Sequence, residues 1–302
     1  MRADGFKCKN SDAMYTLAAH FMNKRYDALN YITIDFPVEP MHNYINQKRK
    51  ENINISHMAV ILAAYVRTLA KYPELNRFVV NKRFYHRNEI SVAMVVLKSG
   101  IKGAETESKL YFEPDDNIFE VNKKIEDFIS VNRQQGDTNS LDKWINRLVS
   151  LSGLVSVVIH LIKWMDKHGL LPKSVLDASP FHASLLITNL ASIRTNNIYH
   201  HLYEFGTTSI SMALGNQREV PHRNKKTGEI EFVKCLPAGL VMDERIATGS
   251  YFASAFRYMQ KFINNPELLE QKPTDIVIDG DVKNFEQRMA KIKAKREKKN
   301  NK

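Results

Sequence analysis

The segment that most constrains the fold is residues 236–263, in which an apolar run, a charged turn and an amphipathic stretch follow one another. The run LPAGLVM (236–242) has no polar side chain, as expected of a strand that is covered on both faces of a sheet. Three charged residues then interrupt it, namely Asp243, Glu244 and Arg245. Apolar residues next recur at helical spacing over 250–263. This order predicts a central strand, a tight turn and a helix, with the charges at the carboxyl end of the strand.

Residues 55–73 give the clearest helical pattern in the chain. Apolar residues repeat there at i, i+3 and i+4, Ser56 is suited to cap the first turn, and Pro73 is suited to end the helix. The other predicted elements are a helix at 116–129, two short strands within 77–86 around a turn at Asn81–Lys82, strands at 90–97, 184–190 and 207–215, and a hairpin at 218–235 that turns at Thr227–Gly228. We therefore expect a mixed α/β fold with a partly antiparallel sheet.

The positive charge of the chain is concentrated at its carboxyl end. Of a net charge of +11 over 302 residues, residues 283–302 contribute seven charges. We predict one domain over residues 1–272, with a core that ends near residue 270, and a basic tail over 273–302. The tail is expected to be a solvated end, and its near lack of aromatic residues, with Phe285 alone, argues against stacking on nucleic acid bases.

Several functional classes are excluded or disfavoured by composition. The apolar run at 148–162 is too short for a membrane span and predicts a buried or subunit-contacting helix. No signal peptide is apparent, and only Cys8 and Cys235 occur, which favours the cytoplasm. Glycine-rich phosphate loops and zinc-protease motifs are absent from the sequence, and the ten histidines are scattered, so we expect no metal site.

Three segments of the carboxyl-terminal half carry a family resemblance. They are SPFHASLLITNLAS (179–192), IYHHLYEFGTTS (198–209) and VMDERIATG (241–249), and the helical segment at 56–80 adds to them. In this order they resemble the acyltransferase catalytic domain of 2-oxo acid dehydrogenase complexes and, more distantly, chloramphenicol acetyltransferase. The likeness covers about residues 14–265.

The resemblance implies a chloramphenicol acetyltransferase-like mixed β-sheet flanked by helices, assembled as a homotrimer with active sites between subunits. It also implies transfer of an acyl group from a coenzyme A thioester to a thiol of the dihydrolipoyl type, or to another small acceptor, without a covalently bound cofactor. Thr188 matches the residue that hydrogen-bonds the tetrahedral oxyanion, and Asn189 follows it in the motif. Because a lipoyl domain is not recognised in the sequence, we expect transfer either free of a dehydrogenase complex or on a lipoyl group carried by another protein.

The segment 241–249 departs from the family pattern at two positions. Asp243, Arg245 and Gly249 match, but Glu244 replaces the catalytic histidine and Thr248 replaces the second aspartate. A thiol has a pKa of about 8.5, against about 6.5 for histidine and about 4.3 for glutamate, so the replacement costs roughly 3 kcal/mol, or about a hundredfold, in driving force. Burial of Glu244 would raise its pKa and recover part of this, whereas pairing with Arg245 would oppose it.

Two alternatives remain open at the level of sequence. His182 and His201 lie within two of the matched segments and are candidates for a substitute base, although neither occupies the base position in the resemblance. The simultaneous loss of the histidine and the aspartate also suits a catalytically inactive trimeric binding or scaffold relative of the same fold.

Overall fold

The chain folds into two β-sheets and a layer of helices. The computed structural model describes residues 2–9, 13–97, 105–134, 153–224 and 226–300. The helices are α1 (Ala13–Phe21), α2 (Val38–Lys50), α3 (His57–Lys71), α4 (Ile118–Gln134), α5 (Val155–His168), α6 (Lys173–Ala178), α7 (Gly249–Asn264) and α8 (Phe285–Asn300). The strands are β1 (Gly5–Lys7), β2 (Leu29–Pro37), β3 (Arg77–Val80), β4 (Arg83–Arg87), β5 (Ile90–Leu97), β6 (Glu105–Phe112), β7 (Leu185–Asn189), β8 (Ile210–Leu214), β9 (Arg218–Arg223) and β10 (Ile230–Asp243).

The larger sheet is mixed, as predicted. Its strands lie in the order β2-β10-β8-β7-β5-β6, and β9 pairs with the first half of β10. The pairs β5–β7 and β7–β8 are parallel and the others are antiparallel. The smaller antiparallel sheet has the order β1-β4-β3. The predicted mixed α/β class and a sheet flanked by helices are therefore confirmed.

Helix α3 lies at the centre of the core. The Oγ atom of Ser56 accepts a hydrogen bond of 3.0 Å from the backbone N–H of Ala59, which is the predicted cap, and a short 3-10 turn starts at Pro73. The side chains of α3 are buried almost throughout, including Ile61 and Tyr65. They pack with α4, α7 and one face of the larger sheet, so this helix fixes the position of the layer that backs β10.

The two faces of β10 have different environments. Alternate residues from Leu236 to Met242 join the core beneath the helices, so Gly239 and Asp243 point to the opposite face. A Cβ atom on Gly239 would lie 2.1 Å from the carbonyl oxygen of Ile198. The loop before β8 therefore crosses this face of the sheet in contact with the backbone of β10, and only glycine leaves room for it.

Strand β2 and helix α2 are absent from the sequence-based prediction. Within β2, Phe36 is buried and Ile32 and Ile34 are partly buried, which is the period of two that a one-sided strand requires. Because β2 pairs with β10 from Cys235 to Asp243, it forms the edge of the larger sheet at the charged turn.

The packed part of the chain extends closer to the carboxyl terminus than the sequence indicates. The backbone N–H of Val277 donates a 2.8 Å hydrogen bond to the carbonyl oxygen of Ala70, and buried Asp279 lies 2.6 Å from Arg77. Phe285, the first residue of α8, contacts the Phe6 ring edge-on at 6.0 Å. The core thus continues past residue 270, and the basic end begins as a helix docked on the smaller sheet. The domain boundary at residue 272 stays a prediction.

Helix α5 overlaps the predicted apolar helix at 148–162 from Val155 onwards and continues to His168, and the first five residues of the prediction lie outside the described part. One side of this helix is exposed: Leu154 before it, and Val157, Leu161 and Trp164 within it, are each more than half exposed. The expected burial within the chain is therefore wrong, and contact with another subunit stays a prediction. In the described ranges, the structure contains no helix with the length and apolar character needed to cross a membrane.

Candidate functional site

The turn that follows β10 is built on buried Asp243. Both of its oxygens accept hydrogen bonds from Arg245, at 2.8 Å from Nε and 2.7 Å from Nη2. The Nε atom of Arg25 lies 3.7 Å from the same carboxylate on the other side. Burial opposes the charge of Arg245, but its hydrogen bonds to Asp243 raise its pKa above the ordinary value. The carboxylate is shared by two buried guanidinium groups, and this fixes the turn.

Glu244 projects from this turn without joining the ion cluster. Its backbone N–H donates a 2.8 Å hydrogen bond to the carbonyl oxygen of Ala28. Its side chain is half-buried, and Oε2 accepts a 2.7 Å hydrogen bond from the amide of Asn30 in β2. Since Arg245 is turned towards Asp243 and the carbonyl oxygen of Met22, the pairing between Glu244 and Arg245 that the sequence leaves open is not formed.

Thr248 and Gly249 form the start of α7. The Oγ1 atom of Thr248 accepts a 3.1 Å hydrogen bond from the backbone N–H of Tyr251 and lies 3.0 Å from the hydroxyl of Ser250. Gly249 is exposed, with no atom crowding the position of a Cβ. Thr248 thus acts as a helix cap, which is a structural role that its sequence position also allows.

Thr188 and Asn189 lie at the far end of the larger sheet from Glu244. Thr188 is paired with Ala213, which is paired with Gly239, four positions before Asp243. The separation from Asp243 is therefore about 13 Å along the strand and about 10 Å across two strand spacings. The structure does not bring Thr188 and Glu244 together within one chain.

A small cavity of about 160 Å³ lies beside Asn189, on the helix-covered side of the sheet. His57, Met58 and Leu236 line it. The Nε2 atom of His57 is buried and accepts or donates no hydrogen bond among the described residues, and the His42 ring lies 4.8 Å away. Burial, and then His42, lower the pKa of His57.

His182 is enclosed and lies away from the turn. Its Nδ1 atom is 2.8 Å from the hydroxyl of Ser179, and its Nε2 atom is 3.3 Å from Oδ1 of Asp166 in α5. Burial lowers the pKa of His182, although Asp166 opposes this. With 3% of its surface exposed, its imidazole holds α5 against the loop before β7. This position does not suit the substitute base that the sequence suggests.

His201, in contrast, is exposed on the loop that crosses the sheet. Its ring stacks on His200 at 5.0 Å, and two residues later the carbonyl oxygen of Tyr203 accepts a hydrogen bond from Arg25. Since Arg25 also contacts Asp243, the loop brings His201 towards the end of the sheet where Glu244 lies.

Sequence reasoning missed Arg25 and Asn30, the partners of Asp243 and Glu244. Both partners are more than 200 residues from the turn, and no local pattern indicates the pairing. The period of two in β2 would have placed Asn30 on an edge strand, but not opposite the turn. No group of three His, Cys, Asp or Glu side chains suited to a metal ion occurs in the described part of the chain.

Comparison with solved structures identifies the fold. A probable dihydrolipoamide acetyltransferase from Listeria monocytogenes aligns with a TM-score of 0.54 and 10% identity, over 88% of this chain and 97% of that one. The cubic core of the pyruvate dehydrogenase multienzyme complex aligns with a TM-score of 0.55 and 9% identity, over 85% and 88%. Chloramphenicol acetyltransferase gives 0.51 and 11%, over 83% and 96%. The chain therefore has the chloramphenicol acetyltransferase-like fold.

A further neighbour bears on the site. It is the dihydrolipoamide acetyltransferase of Azotobacter vinelandii, whose structure addresses the catalytic role of a serine, a histidine and, four positions after the histidine, an asparagine; its TM-score is 0.54 and its identity 9%, over 85% of this chain and 88% of that one. No protein-family model matches the chain, and no curated protein matches it significantly by sequence.

Proposed function

We propose that the protein transfers an acyl group between a coenzyme A thioester and a small acceptor, most simply a thiol of the dihydrolipoyl type. In this proposal Glu244 is the base and Thr188 of a neighbouring subunit binds the oxyanion. The acceptor lipoyl group would be borne by another protein. The fold supports the reaction class. The observation that carries the proposal is that the Glu244 carboxylate forms no ion pair with a described residue and has one oxygen without a hydrogen bond from such a residue.

The arrangement of the turn supports Glu244 as a proton acceptor. The Asp243 carboxylate, and not that of Glu244, takes the ion pairs with the two arginines, so Glu244 forms no ion pair with a described residue. One Oε2 hydrogen bond from Asn30 holds the Glu244 side chain, and no described residue donates a hydrogen bond to Oε1. This oxygen is therefore available to a thiol.

The spacing of the turn agrees with a known catalytic pair. In the Azotobacter vinelandii enzyme the histidine and the asparagine are four positions apart, as are Glu244 and Thr248 in this chain. Thr248 keeps a hydroxyl at that position but uses it as a helix cap. The turn thus has the family's length with different functional groups.

The distance between Thr188 and Glu244 supports an assembly. Two groups that act on one thioester must lie within a few ångströms of the same carbonyl carbon. In one chain they lie at opposite ends of the sheet. A homotrimer in which each subunit places its Thr188 end against the Glu244 turn of the next would form three complete sites.

The proton balance of the step is simple. The Glu244 carboxylate takes the proton of the acceptor thiol, and the thiolate attacks the thioester carbonyl carbon. The Thr188 hydroxyl donates a hydrogen bond to the tetrahedral oxyanion. When the carbon–sulfur bond to coenzyme A breaks, the leaving thiolate recovers the proton from Glu244.

Release of coenzyme A from acetyl-coenzyme A in the presence of dihydrolipoamide tests this proposal. We expect Glu244→Gln to lower kcat about a hundredfold or more, because the amide keeps an acceptor for Asn30 but cannot take a proton. Thr188→Ala should also lower kcat, and Thr188→Ser should restore it. A wild-type protein that shows no turnover with any acyl-coenzyme A, and does not bind one in calorimetry, would overturn the proposal.

The inactive scaffold is the second candidate, and the capping role of Thr248 favours it. A hydroxyl that accepts from the Tyr251 N–H is occupied by a structural bond, whereas the Azotobacter vinelandii enzyme has an asparagine four positions after its histidine. Acyl-coenzyme A binding without turnover would support the scaffold.

His201 is the alternative base if the protein is active. A transfer rate that Glu244→Gln leaves unchanged, but that His201→Gln abolishes, would assign the role of base to His201.

A further inference from the structure

A cleft of about 430 Å³ lies behind the Asp243 turn, away from Glu244 and Thr188. Its rim carries Lys24, Lys82, Lys163 and Lys167, and Arg25 and Arg245 lie at its floor. The volume is typical of a small-molecule site. We refer to this cavity as the lysine cleft.

The four lysines come from three separate elements. Lys24 precedes the 3-10 turn at Arg25–Ala28, and Lys82 is in the two-residue turn between β3 and β4. Lys163 and Lys167 are one helical turn apart on α5. Like charges at this spacing destabilise a helix slightly, so their convergence with two further lysines costs free energy in the absence of an anion.

The four rim lysines are not neutralised by any residue in the described part of the chain. None of the four lysines forms an ion pair with another described residue. Two acids line the cleft, but both are engaged: Asp166 lies 2.7 Å from Arg2, and Glu204 accepts a 2.7 Å hydrogen bond from the backbone N–H of Arg25.

The two arginines at the floor of the cleft are held by hydrogen bonds, whereas the rim lysines form no ion pair with a described residue. The guanidinium of Arg25 donates to the carbonyl oxygens of Tyr203 and Gly206, and its Nε atom is buried with no hydrogen-bond acceptor. Arg245 is held by Asp243 and by the carbonyl oxygen of Met22. A ligand would thus meet guanidinium groups held by hydrogen bonds at the base of the cleft and exposed ammonium groups around it.

We propose that the lysine cleft binds a small anion that carries two or more linked phosphate groups. A single carboxylate could satisfy one or two of the lysines, whereas linked phosphates present several oxygens to ammonium groups arriving from different sides. The phosphates could belong to free polyphosphate or to a nucleotide. The proposal does not depend on acyl transfer, because neither Glu244 nor Thr188 lines the cleft.

Isothermal titration of the full chain with sodium tripolyphosphate tests the site. We compare the wild type with Lys82→Gln/Lys163→Gln, and with Lys7→Gln/Lys234→Gln, which removes the same charge from exposed lysines outside the cleft. All four side chains are at the surface, and circular dichroism verifies that each variant is folded. The cleft variant should bind at least tenfold more weakly, and the control variant should bind within twofold of the wild type.

Equal weakening in the two variants, or a wild type that does not bind tripolyphosphate at 50 mM salt, would overturn the proposal. Competition then distinguishes the sources of phosphate. Displacement of tripolyphosphate by ATP or coenzyme A, lost in the cleft variant, assigns the cleft to nucleotide-borne phosphates. Failure of both to displace it assigns the cleft to free polyphosphate.

Discussion

The two ends of the larger sheet differ in how many of their polar side chains have partners among the described residues. At the carboxyl end of β10, buried Asp243 binds Arg25 and Arg245, so the turn is closed by contacts within one chain. At the carboxyl end of β7, Thr188 is half-buried, Asn189 is exposed, and the nearby His57 Nε2 has no described partner. At the first end, ion pairs fix the turn that carries Glu244. At the second end, polar side chains are accessible to solvent or to another subunit.

The largest effect is expected from breaking the closed end. Asp243→Ala leaves the guanidinium groups of Arg25 and Arg245 buried without their shared carboxylate, which should lower the free energy of unfolding by about 3–5 kcal/mol. Urea denaturation measures this. Asp127→Ala, which removes an exposed partner of Lys123, is the control and should cause no measurable change. A small effect of Asp243→Ala would mean that the cluster does not fix the turn.

A smaller effect is expected at the start of α7. Thr248→Ala removes the hydroxyl that accepts from the backbone N–H of Tyr251, and should cost about 1 kcal/mol of unfolding free energy. Ser56→Ala should cost a similar amount at the start of α3. Both are read from denaturant midpoints.

Ser250→Ala provides the matched control for the cap. Ser250 contacts the Thr248 hydroxyl but does not accept from the first turn of α7, so its loss should matter less. Equal costs for Thr248→Ala and Ser250→Ala would show that the hydroxyl pair, rather than the cap, stabilises this helix.

The smallest effect is expected at the open end, as a dependence on pH. The folded pKa of His57 is lowered, so the folded state favours the neutral imidazole. The resulting stability is present above the unfolded pKa of about 6.5 and is lost as pH falls below it. Unfolding at pH 7.5 and 5.5 should therefore show a smaller acid loss in His57→Gln than in the wild type.

The exposed His20 supplies the comparison for His57. His20→Gln removes an imidazole whose Nδ1 lies 2.9 Å from the carbonyl oxygen of Thr16 on the same exposed helix, so an equal change in the two variants would show that the effect is not specific to His57. If His57→Gln has the same acid loss as the wild type, the open end does not contribute to the pH dependence. A partner that covers His57 would enlarge the loss.

The sequence predicts the elements of this fold better than its contacts. The helical period of α3 and the apolar runs at 90–97 and 236–242 are local patterns, and a helix and two strands form there; β10 joins the predicted strand at 236–242 to the second arm of the predicted hairpin. The turn at Asn81–Lys82 is also local, since both residues adopt positive φ in a two-residue hairpin. Local patterns therefore suffice for the mixed α/β class and for the position of the charged turn.

The environment of the charged turn could not be predicted in the same way. Whether Glu244 or Asp243 pairs with Arg245 depends on Arg25, which arrives from the other end of the chain. The enclosure of His182 depends on Asp166, which lies on a separate helix. Such contacts depend on tertiary packing between segments far apart in the chain, which local sequence patterns do not predict.

The separation of Thr188 from Glu244 also has a consequence for when activity could appear in a cell. In the proposed trimer each chain would hold half of two different sites, so a newly made chain would be folded but inactive. Transfer would begin only when chains meet, so output would rise more steeply than the amount of protein. Dilution would then silence the protein without unfolding it.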